Sequence, residues 1–204
     1  MSGDRVLFID LDGVIRRWNQ PEAAIEAAYG LPAGALRQSA FAPELLLPAI
    51  TGAISDELWR DRIGARLKKH VGAHSAHQAV REWSAPIGEL DPNVLTVLDD
   101  FANAFRLVLI TNATTRLHSD LRALGIDDRF DRIINSSAVG IAKPAREIYE
   151  LALRLEQIAP EHALYVDDSP ANIAAASLLG IRSHQFVDAV ELQRFLSSAF
   201  ATPT

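Results

Sequence analysis

Five short apolar runs, each followed by polar or turn-forming residues, constrain the fold of this chain more than any other feature. They occupy residues 6–9, 107–110, 133–134, 164–166 and, more weakly, 183–186. Segments with helical periodicity separate the later runs and occupy residues 92–105, 116–124, 146–155, 170–179 and 189–200. Runs that are apolar throughout, rather than alternating with polar residues, are typical of parallel strands covered on both faces. The sequence therefore predicts an α/β fold with a doubly wound parallel sheet.

A long interval after the first run departs from this alternation. Residues 16–88 carry no strand signal, but they contain helical patterns at 21–29, 32–40, 56–70 and 76–83. Ser55 and Ser75 precede the last two patterns as candidate N-caps. Apolar residues recur at every fourth position from Trp59 to Val71, which gives one apolar helix face. We predict a core formed by residues 1–15 and 89–204, and a helical cap domain formed by residues 16–88.

Composition excludes several classes of protein. The chain has no cysteine, which removes thiol nucleophiles, disulfides and thiolate metal sites. Its net charge of -6 has the wrong sign for a protein that binds nucleic acid. Acids at Asp4, Asp10 and Asp12 interrupt any signal-peptide pattern, and no run of about 18 apolar residues predicts a membrane span. We expect a cytoplasmic protein without membrane contact, either a monomer or a homodimer.

Polar side chains follow successive strands of the predicted sheet. Because the carboxyl ends of parallel strands meet at one edge, these side chains are expected to share a crevice. Each has a simpler explanation when taken alone: an Asp-Gly turn, a helix cap or a solvated lysine. Their joint placement favours a functional site. The residues are Asp10, Asp12, Thr111, Asn112, Lys143, Asp167 and Asp168.

The charges of this crevice predict a metal ion. Four carboxylates and one ammonium leave three negative charges, and like charges about 4 Å apart repel by roughly 4 kcal/mol at an effective dielectric of 20. Carboxylate oxygens suit Mg²⁺, which commonly bridges to phosphate. A carboxylate at a strand end is then able to attack phosphorus while a second acid protonates the departing oxygen, which produces an aspartyl phosphate.

The motifs that carry these residues resemble those of the haloacid dehalogenase-like hydrolase superfamily. The matching segments are Phe8-Ile9-Asp10-Leu11-Asp12-Gly13-Val14, Ile110-Thr111-Asn112, Ala142-Lys143-Pro144 and Val166-Asp167-Asp168-Ser169-Pro170-Ala171-Asn172. The resemblance implies that Asp10 is the nucleophile and Asp12 the general acid and base. It also implies phosphate binding by Thr111 and Asn112, and a steadying role for Lys143.

The same resemblance implies which residues bind the metal ion and which branch of the superfamily the chain is most similar to. Asp168 would bind Mg²⁺ directly and Asp167 directly or through water, with Asp10 and the Asp12 carbonyl completing the protein ligands. The position of the insert is similar to that in the branch with phosphoglycolate phosphatase and β-phosphoglucomutase. The Asp167-Asp168 doublet with Asn172 looks most like that of sugar-1-phosphate phosphatases. Asp12 disfavours dehalogenation, because true haloacid dehalogenases lack an acid at this position.

These observations predict a Mg²⁺-dependent phosphatase of a small phosphorylated metabolite, with sugar phosphates among the candidates. A sugar phosphomutase uses the same residues and stays open, and a non-catalytic phospho-acceptor or binding module is a further alternative. Arg16, Arg17 and Trp18 are candidate substrate contacts, although Trp18 also fits a packing role at the hinge. Trp59 and Trp83 are expected in the core of the insert. His70, His74 and His77 are expected to be solvated rather than to bind a metal.

Overall fold

The computed structural model describes residues 5–19 and 21–200. Residues 1–4 and 201–204, which belong to the predicted core, and residue 20 of the predicted insert lie outside the described residues. The described part contains a parallel sheet with the strands β1 (Val6–Ile9), β4 (Arg106–Thr111), β5 (Arg132–Asn135), β6 (Ala163–Asp167) and β7 (Arg182–Gln185). Their order across the sheet is β5-β4-β1-β6-β7.

Helices cover both faces of this sheet, so the predicted doubly wound architecture is confirmed. The core helices are α6 (Pro92–Asp100), α7 (Leu117–Leu124), α8 (Ser136–Val139), α9 (Arg146–Glu156), α10 (Pro170–Ser177) and α11 (Ala189–Phe200). Leu7 and Ile9 pack on one face with residues of α6, α7 and α11. Val6 and Phe8 pack on the other face with residues of α9 and α10. Successive side chains of a strand point to opposite faces, and both faces of β1 are fully buried.

The insert forms a helical layer with its own buried cluster, which includes Trp59 and Trp83. Its helices are α1 (Glu22–Tyr29), α2 (Ala35–Ala40), α3 (Pro43–Ile50), α4 (Asp56–Val71) and α5 (Ala73–Ser84). Ser55 caps α4 as predicted, because its side chain accepts a hydrogen bond from the Leu58 amide. The expected N-cap Ser75 is wrong, since α5 begins at Ala73 directly after Gly72.

Three further differences from the predicted elements concern short or polar segments. Helix α3 was not predicted, and the helix expected over 92–105 ends at Asp100. A small antiparallel pair joins β2 (Arg16–Arg17) to β3 (Glu89–Leu90), where linkers without strand structure were expected. This pair holds the two ends of the insert together. Among the described residues, no helix combines the length and apolar character that crossing a membrane would require.

Candidate active site

The register of the sheet brings the predicted strand-end residues to one edge. Ile9 of β1 pairs with Leu109 of β4 and with Val166 of β6. Asp10 therefore lies level with Asp167, and Thr111 lies one position further along its own strand. The Asp10 amide continues the ladder by donating to the Val166 carbonyl at 2.9 Å. Position in the sheet thus brings together acids that are distant in the chain.

Lys143 links two of these acids. Its Nζ lies 2.8 Å from Asp10 Oδ1 and 2.7 Å from Asp167 Oδ2, and it also donates to the Ile110 carbonyl at 2.9 Å. An ammonium has three donors, and these three contacts use all of them. The Lys143 side chain is 1% exposed, so the two carboxylates supply the charge that keeps an ammonium inside the protein.

Asn112 fixes the main chain at Lys143. Its side-chain nitrogen donates to the Lys143 carbonyl at 2.9 Å, and its side-chain oxygen accepts from the Lys143 amide at 2.8 Å. Asn112 thereby positions Lys143, while the neighbouring Thr111 ends β4 and is 1% exposed. The predicted contacts of Thr111 and Asn112 with phosphate stay predictions.

Asp167 is fully buried and already has many hydrogen-bond donors around it. Besides Lys143, it accepts from the Tyr165 hydroxyl, from the Ser169 amide at 2.8 Å and from Asn172 Nδ2 at 2.9 Å. Burial alone would raise the pKa of Asp167, but the charge and hydrogen bonds of Lys143 together with these donors lower it. Tyr165 was not anticipated, although it precedes Asp167 by two residues and so shares its strand face.

Asp10 has the opposite pKa shift. Burial raises the pKa of Asp10 to about 7, with the charge of Lys143 opposing the shift and Asp167 adding to it. Its Oδ1 accepts from the Leu11 amide at 2.7 Å in addition to contacting Lys143. Burial and the neighbouring Asp167 also raise the pKa of Asp168. The raised pKa values of Asp10 and Asp168 contrast with the lowered pKa of Asp167, which has the most donors around it.

Three carboxylates of this edge are suitably placed to hold a metal ion together. Oxygens of Asp10, Asp167 and Asp168 all lie within 4.8 Å of one another. With Lys143, they leave two negative charges, which matches the charge of one divalent cation. The donor set consists of hard carboxylate oxygens, the ligands that Mg²⁺ prefers. Asp12 is not in this group, and its carboxylate is paired with Arg16 instead.

Arg16 and Trp18 both contact Asp12. Arg16 Nε lies 2.6 Å from Asp12 Oδ1, Arg16 Nη2 lies 3.0 Å from Oδ2, and the Trp18 indole donates to Oδ1 at 2.7 Å. The Arg16 guanidinium also lies 4.5 Å from the Trp18 ring centre and 3.5 Å from Asp120. Arg16 is buried and Trp18 is 39% exposed. Their expected contact with substrate stays a prediction.

A cavity of about 690 Å³ opens between this edge of the sheet and the insert. Asp12, Gly13, Asn112 and Asp168 line it from the core, and Arg16 and Trp18 line it where the chain enters the insert. Phe41, Leu46, Ile50, Trp59 and Trp83 line it from the insert. The volume is in the range typical of small-molecule sites. His70, His74 and His77 are exposed on the insert, as expected.

Comparisons with known proteins agree with this geometry. The sequence model of the haloacid dehalogenase-like hydrolase family matches residues 5–180. The chain is 32% identical over 97 residues to haloacid dehalogenase-like hydrolase domain-containing protein 3 of Xenopus laevis, covering 47% of this chain and 40% of that protein. It is 31% identical over 109 residues to ribulose-1,5-bisphosphate 5-phosphatase of Halopiger xanaduensis, covering 51% of this chain and 46% of that protein. It therefore spans less than half the length of both relatives.

A solved structure shares the fold over almost the whole chain. It is a family enzyme of Bacteroides thetaiotaomicron in complex with magnesium and inorganic phosphate, with a TM-score of 0.72 and 20% identity. The match covers 93% of this chain and 99% of that chain. At this identity the likeness establishes the common fold.

Proposed function

The chain belongs to the haloacid dehalogenase-like hydrolase family, and from this premise we propose that it is a Mg²⁺-dependent phosphatase of a small phosphate monoester. One observation carries the proposal. Asp10, a buried carboxylate at the end of β1, contacts Lys143 and shares a cluster with Asp168, which lines the cavity beside the insert. We further propose that residues 16–88 act as a cap that contacts the organic part of the substrate.

The first chemical step is assigned to Asp10. Its Oδ1 is held by Lys143 and by the Leu11 amide, which leaves Oδ2 as the attacking atom. Attack forms the bond from Oδ2 to phosphorus and breaks the bond from phosphorus to the ester oxygen. Before this step Asp12 exchanges its pairing with Arg16 and Trp18 for a proton from solvent, and from the cavity wall it gives that proton to the departing oxygen. The products of this step are a free alcohol and an aspartyl phosphate on Asp10.

The second step regenerates the enzyme. Asp12, now a carboxylate, takes a proton from a water molecule as that water attacks phosphorus. The bond between Asp10 and phosphorus breaks, and inorganic phosphate leaves. A phosphomutase would instead return the phosphoryl group to the substrate, so release of free phosphate separates the two activities.

Other residues supply charge and position. Lys143 contacts Asp10, and its charge would offset negative charge on the phosphoryl oxygens, with Thr111 and Asn112 as further predicted contacts. Asp10 and Asp168 would hold Mg²⁺. Asp167 accepts hydrogen bonds on both of its oxygens, which favours contact with the ion through water. When bound, Mg²⁺ supplies positive charge that stabilises the transferring phosphoryl group.

The test is hydrolysis of para-nitrophenyl phosphate by the wild-type protein and by Asp10→Asn. We expect the variant to lose at least about a thousandfold in kcat, roughly 4 kcal/mol of barrier, with an unchanged circular dichroism spectrum. EDTA is expected to abolish the wild-type activity and Mg²⁺ to restore it. Asp128→Asn, which makes the same change at an exposed acid, is the control. An active Asp10→Asn enzyme would remove Asp10 as the nucleophile.

A further inference from the structure

The insert contributes an apolar wall to the cavity, formed by Phe41, Leu46, Ile50, Trp59 and Trp83. Leu46 and Ile50 are four residues apart in α3, which places them on the same side of that helix. Both are half-buried, and Phe41 is 47% exposed. The wall therefore presents carbon surface that the folded protein leaves uncovered, in the same cavity that Asp12 and Asp168 line.

Both indole N–H groups of the wall already have acceptors in the insert. Trp59 Nε1 donates to the Ala40 carbonyl at 3.2 Å, and Trp83 Nε1 donates to Glu22 Oε1 at 3.3 Å. The Trp83 ring meets the Trp59 ring edge-on at 6.0 Å and the Phe41 ring at 6.5 Å. These contacts fix the aromatic rings in place, and because Trp59 and Trp83 are 9% and 4% exposed, most of the open carbon surface of the wall belongs to Phe41, Leu46 and Ile50.

Several polar groups beside the wall already have partners in the protein, and the guanidinium of Arg37, which also lines the cavity, lies 5.0 Å from the Phe41 ring centre. Asp56 accepts from the Thr114 hydroxyl at 2.8 Å, and Asp120 accepts from Arg116 Nε at 2.7 Å. Arg116 also donates to the main-chain carbonyls of Ser84 and Pro86. The hydroxyl groups of a polyol would have to break these pairs or remain without partners, and both outcomes cost free energy. An apolar group would leave the pairs intact and cover the wall.

We propose that this cavity selects phosphate monoesters whose alcohol is apolar, an arylalkyl or branched alkyl group, over esters of polyols. The inference rests on the proposed function, because the phosphate end of the ligand would bind at the carboxylate edge, the sheet edge that carries Asp10, Asp167 and Asp168. It assigns specificity to the apolar wall, with Leu46 and Ile50 as specificity-determining residues. The sugar phosphates considered among the candidates would accordingly be poor substrates.

The first test compares phenethyl phosphate with glycerol phosphate. Both are esters of primary alcohols, so the comparison isolates recognition of the alcohol. We expect kcat/KM to be at least about tenfold higher for phenethyl phosphate, the lower end of the range that apolar contacts typically supply. A smaller ratio, or a preference for glycerol phosphate, would overturn the inference.

The second test uses variants on one helix. Leu46→Ala and Ile50→Ala are each expected to raise KM for phenethyl phosphate by about tenfold. Leu47→Ala is the matched control, because Leu47 is 54% exposed and lies outside the cavity lining. Equal KM values in all three variants would contradict the role of the wall.

A binding measurement separates this inference from the proposed function. Titration calorimetry of the Asp10→Asn protein with phenethylphosphonate and with dihydroxybutylphosphonate, both in the presence of Mg²⁺, requires no catalysis. Tighter binding of the phenethyl compound supports apolar selection even if no ester is hydrolysed, in which case only the phosphatase proposal fails. If the enzyme hydrolyses acetyl phosphate but binds the two phosphonates equally, the phosphatase proposal stands and the inference of apolar selection fails.

Discussion

At the scale of single residues, Lys143 supplies the positive charge that compensates the buried carboxylates of the candidate site. It contacts Asp10 and Asp167 at once, and all three side chains are buried. Removing a partner from a buried ion pair leaves an uncompensated charge, which costs far more than the net value of the pair. The same contacts favour a positioning role for Asp167, whereas the proposed attack by Asp10 would use Oδ2, because Lys143 and the Leu11 amide contact Oδ1.

Gly13 permits the close approach of the first strand end to Asp168. Its φ is +86°, and a Cβ at this position would lie 2.2 Å from Asp168 Oδ2. We expect Gly13→Ala to displace the Asp168 carboxylate and to raise the Mg²⁺ concentration for half-maximal activity by about tenfold, since ligand geometry controls metal affinity. Activity measured against Mg²⁺ concentration checks this.

Gly125→Ala is the matched control for Gly13→Ala. Gly125 also has a positive φ, +69°, but a Cβ added there would have no atom within 4 Å. Both variants should lose about 1 kcal/mol of stability from backbone strain alone. If the two enzymes require the same Mg²⁺ concentration, the contact between Gly13 and Asp168 has no role in metal binding.

The pKa of Asp10 predicts how pH and metal act together on stability. Because burial raises the pKa of Asp10 from 3.8 to about 7, the folded protein binds a proton between these values that the unfolded chain has released. Its contribution to stability is therefore present at low pH and is lost as the pH rises through about 7. Mg²⁺ requires the deprotonated carboxylate, so it competes with this proton.

We therefore expect Mg²⁺ to raise the Tm of the protein more at about pH 8 than at about pH 5.5. Differential scanning calorimetry with and without Mg²⁺ at both pH values measures the effect. In Asp10→Asn the pH dependence of the Mg²⁺ effect should shrink. An equal increase in Tm at both pH values would show that Asp10 does not couple proton and metal binding.

Sequence patterns located the strand-end residues because a parallel sheet brings its carboxyl ends together whatever the length of chain between them. They did not reveal that Asn112 pairs with the main chain of Lys143, or that Arg16 and Trp18 contact Asp12. These contacts depend on loop conformations that have no periodicity. The contact of Tyr165 with Asp167 was predictable from the sequence, since residues two apart share a strand face.

At the scale of elements, the parallel strands were predictable and the insert was less so. The core strands are apolar on both faces, which separates them clearly from their surroundings. Helix α3 contains Pro43 at its start and Pro48 inside it, and these prolines mask its helical pattern. The strands β2 and β3 have two residues each, too few for an alternating pattern.

Helix α2 depends on a side chain from another helix. No side chain of its own caps it, since its N-cap residue is Gly34. Glu26 of α1 accepts instead from the Gly34 amide at 2.7 Å and from the Leu36 amide at 2.9 Å, and Glu26 is 4% exposed. A buried carboxylate thus satisfies two amides that would otherwise lack partners.

We expect Glu26→Ala to lower the free energy of unfolding by about 2 kcal/mol, the range for losing hydrogen bonds to a charged group. Glu26→Gln keeps one acceptor oxygen and should lose less. Urea denaturation of both variants gives the values. A Glu26→Ala protein as stable as the wild type would show that water or other groups replace the carboxylate.

At the scale of the whole molecule, the insert contacts the core next to the candidate site. The Thr114 hydroxyl donates to Asp56, the Asp56 amide donates to Thr115 Oγ1 at 3.0 Å, and Arg116 donates to Ser84 and Pro86. These core residues follow Thr111 and Asn112 closely in the chain. The position of the insert and the geometry of the carboxylate edge are therefore connected through one short segment.

A second contact between insert and core provides the test of this connection. Gly52, after α3, has φ +73°, and a Cβ there would lie 2.0 Å from the Ser137 carbonyl oxygen in α8. Main-chain atoms yield less readily than a side chain, so Gly52→Ala must move α3 away from the core. Because α3 carries Leu46 and Ile50, we expect KM for phenethyl phosphate to rise by about fivefold.

Gly140→Ala separates this displacement from backbone strain. Gly140 follows α8, has φ +76°, and has nothing within 4 Å of an added Cβ. Hydrogen exchange should increase in α3 of Gly52→Ala and stay at the wild-type level in Gly140→Ala, because only the first substitution loosens a packed contact. If both variants keep the wild-type KM, the contact of Gly52 with Ser137 does not set the distance between the apolar wall and the carboxylates.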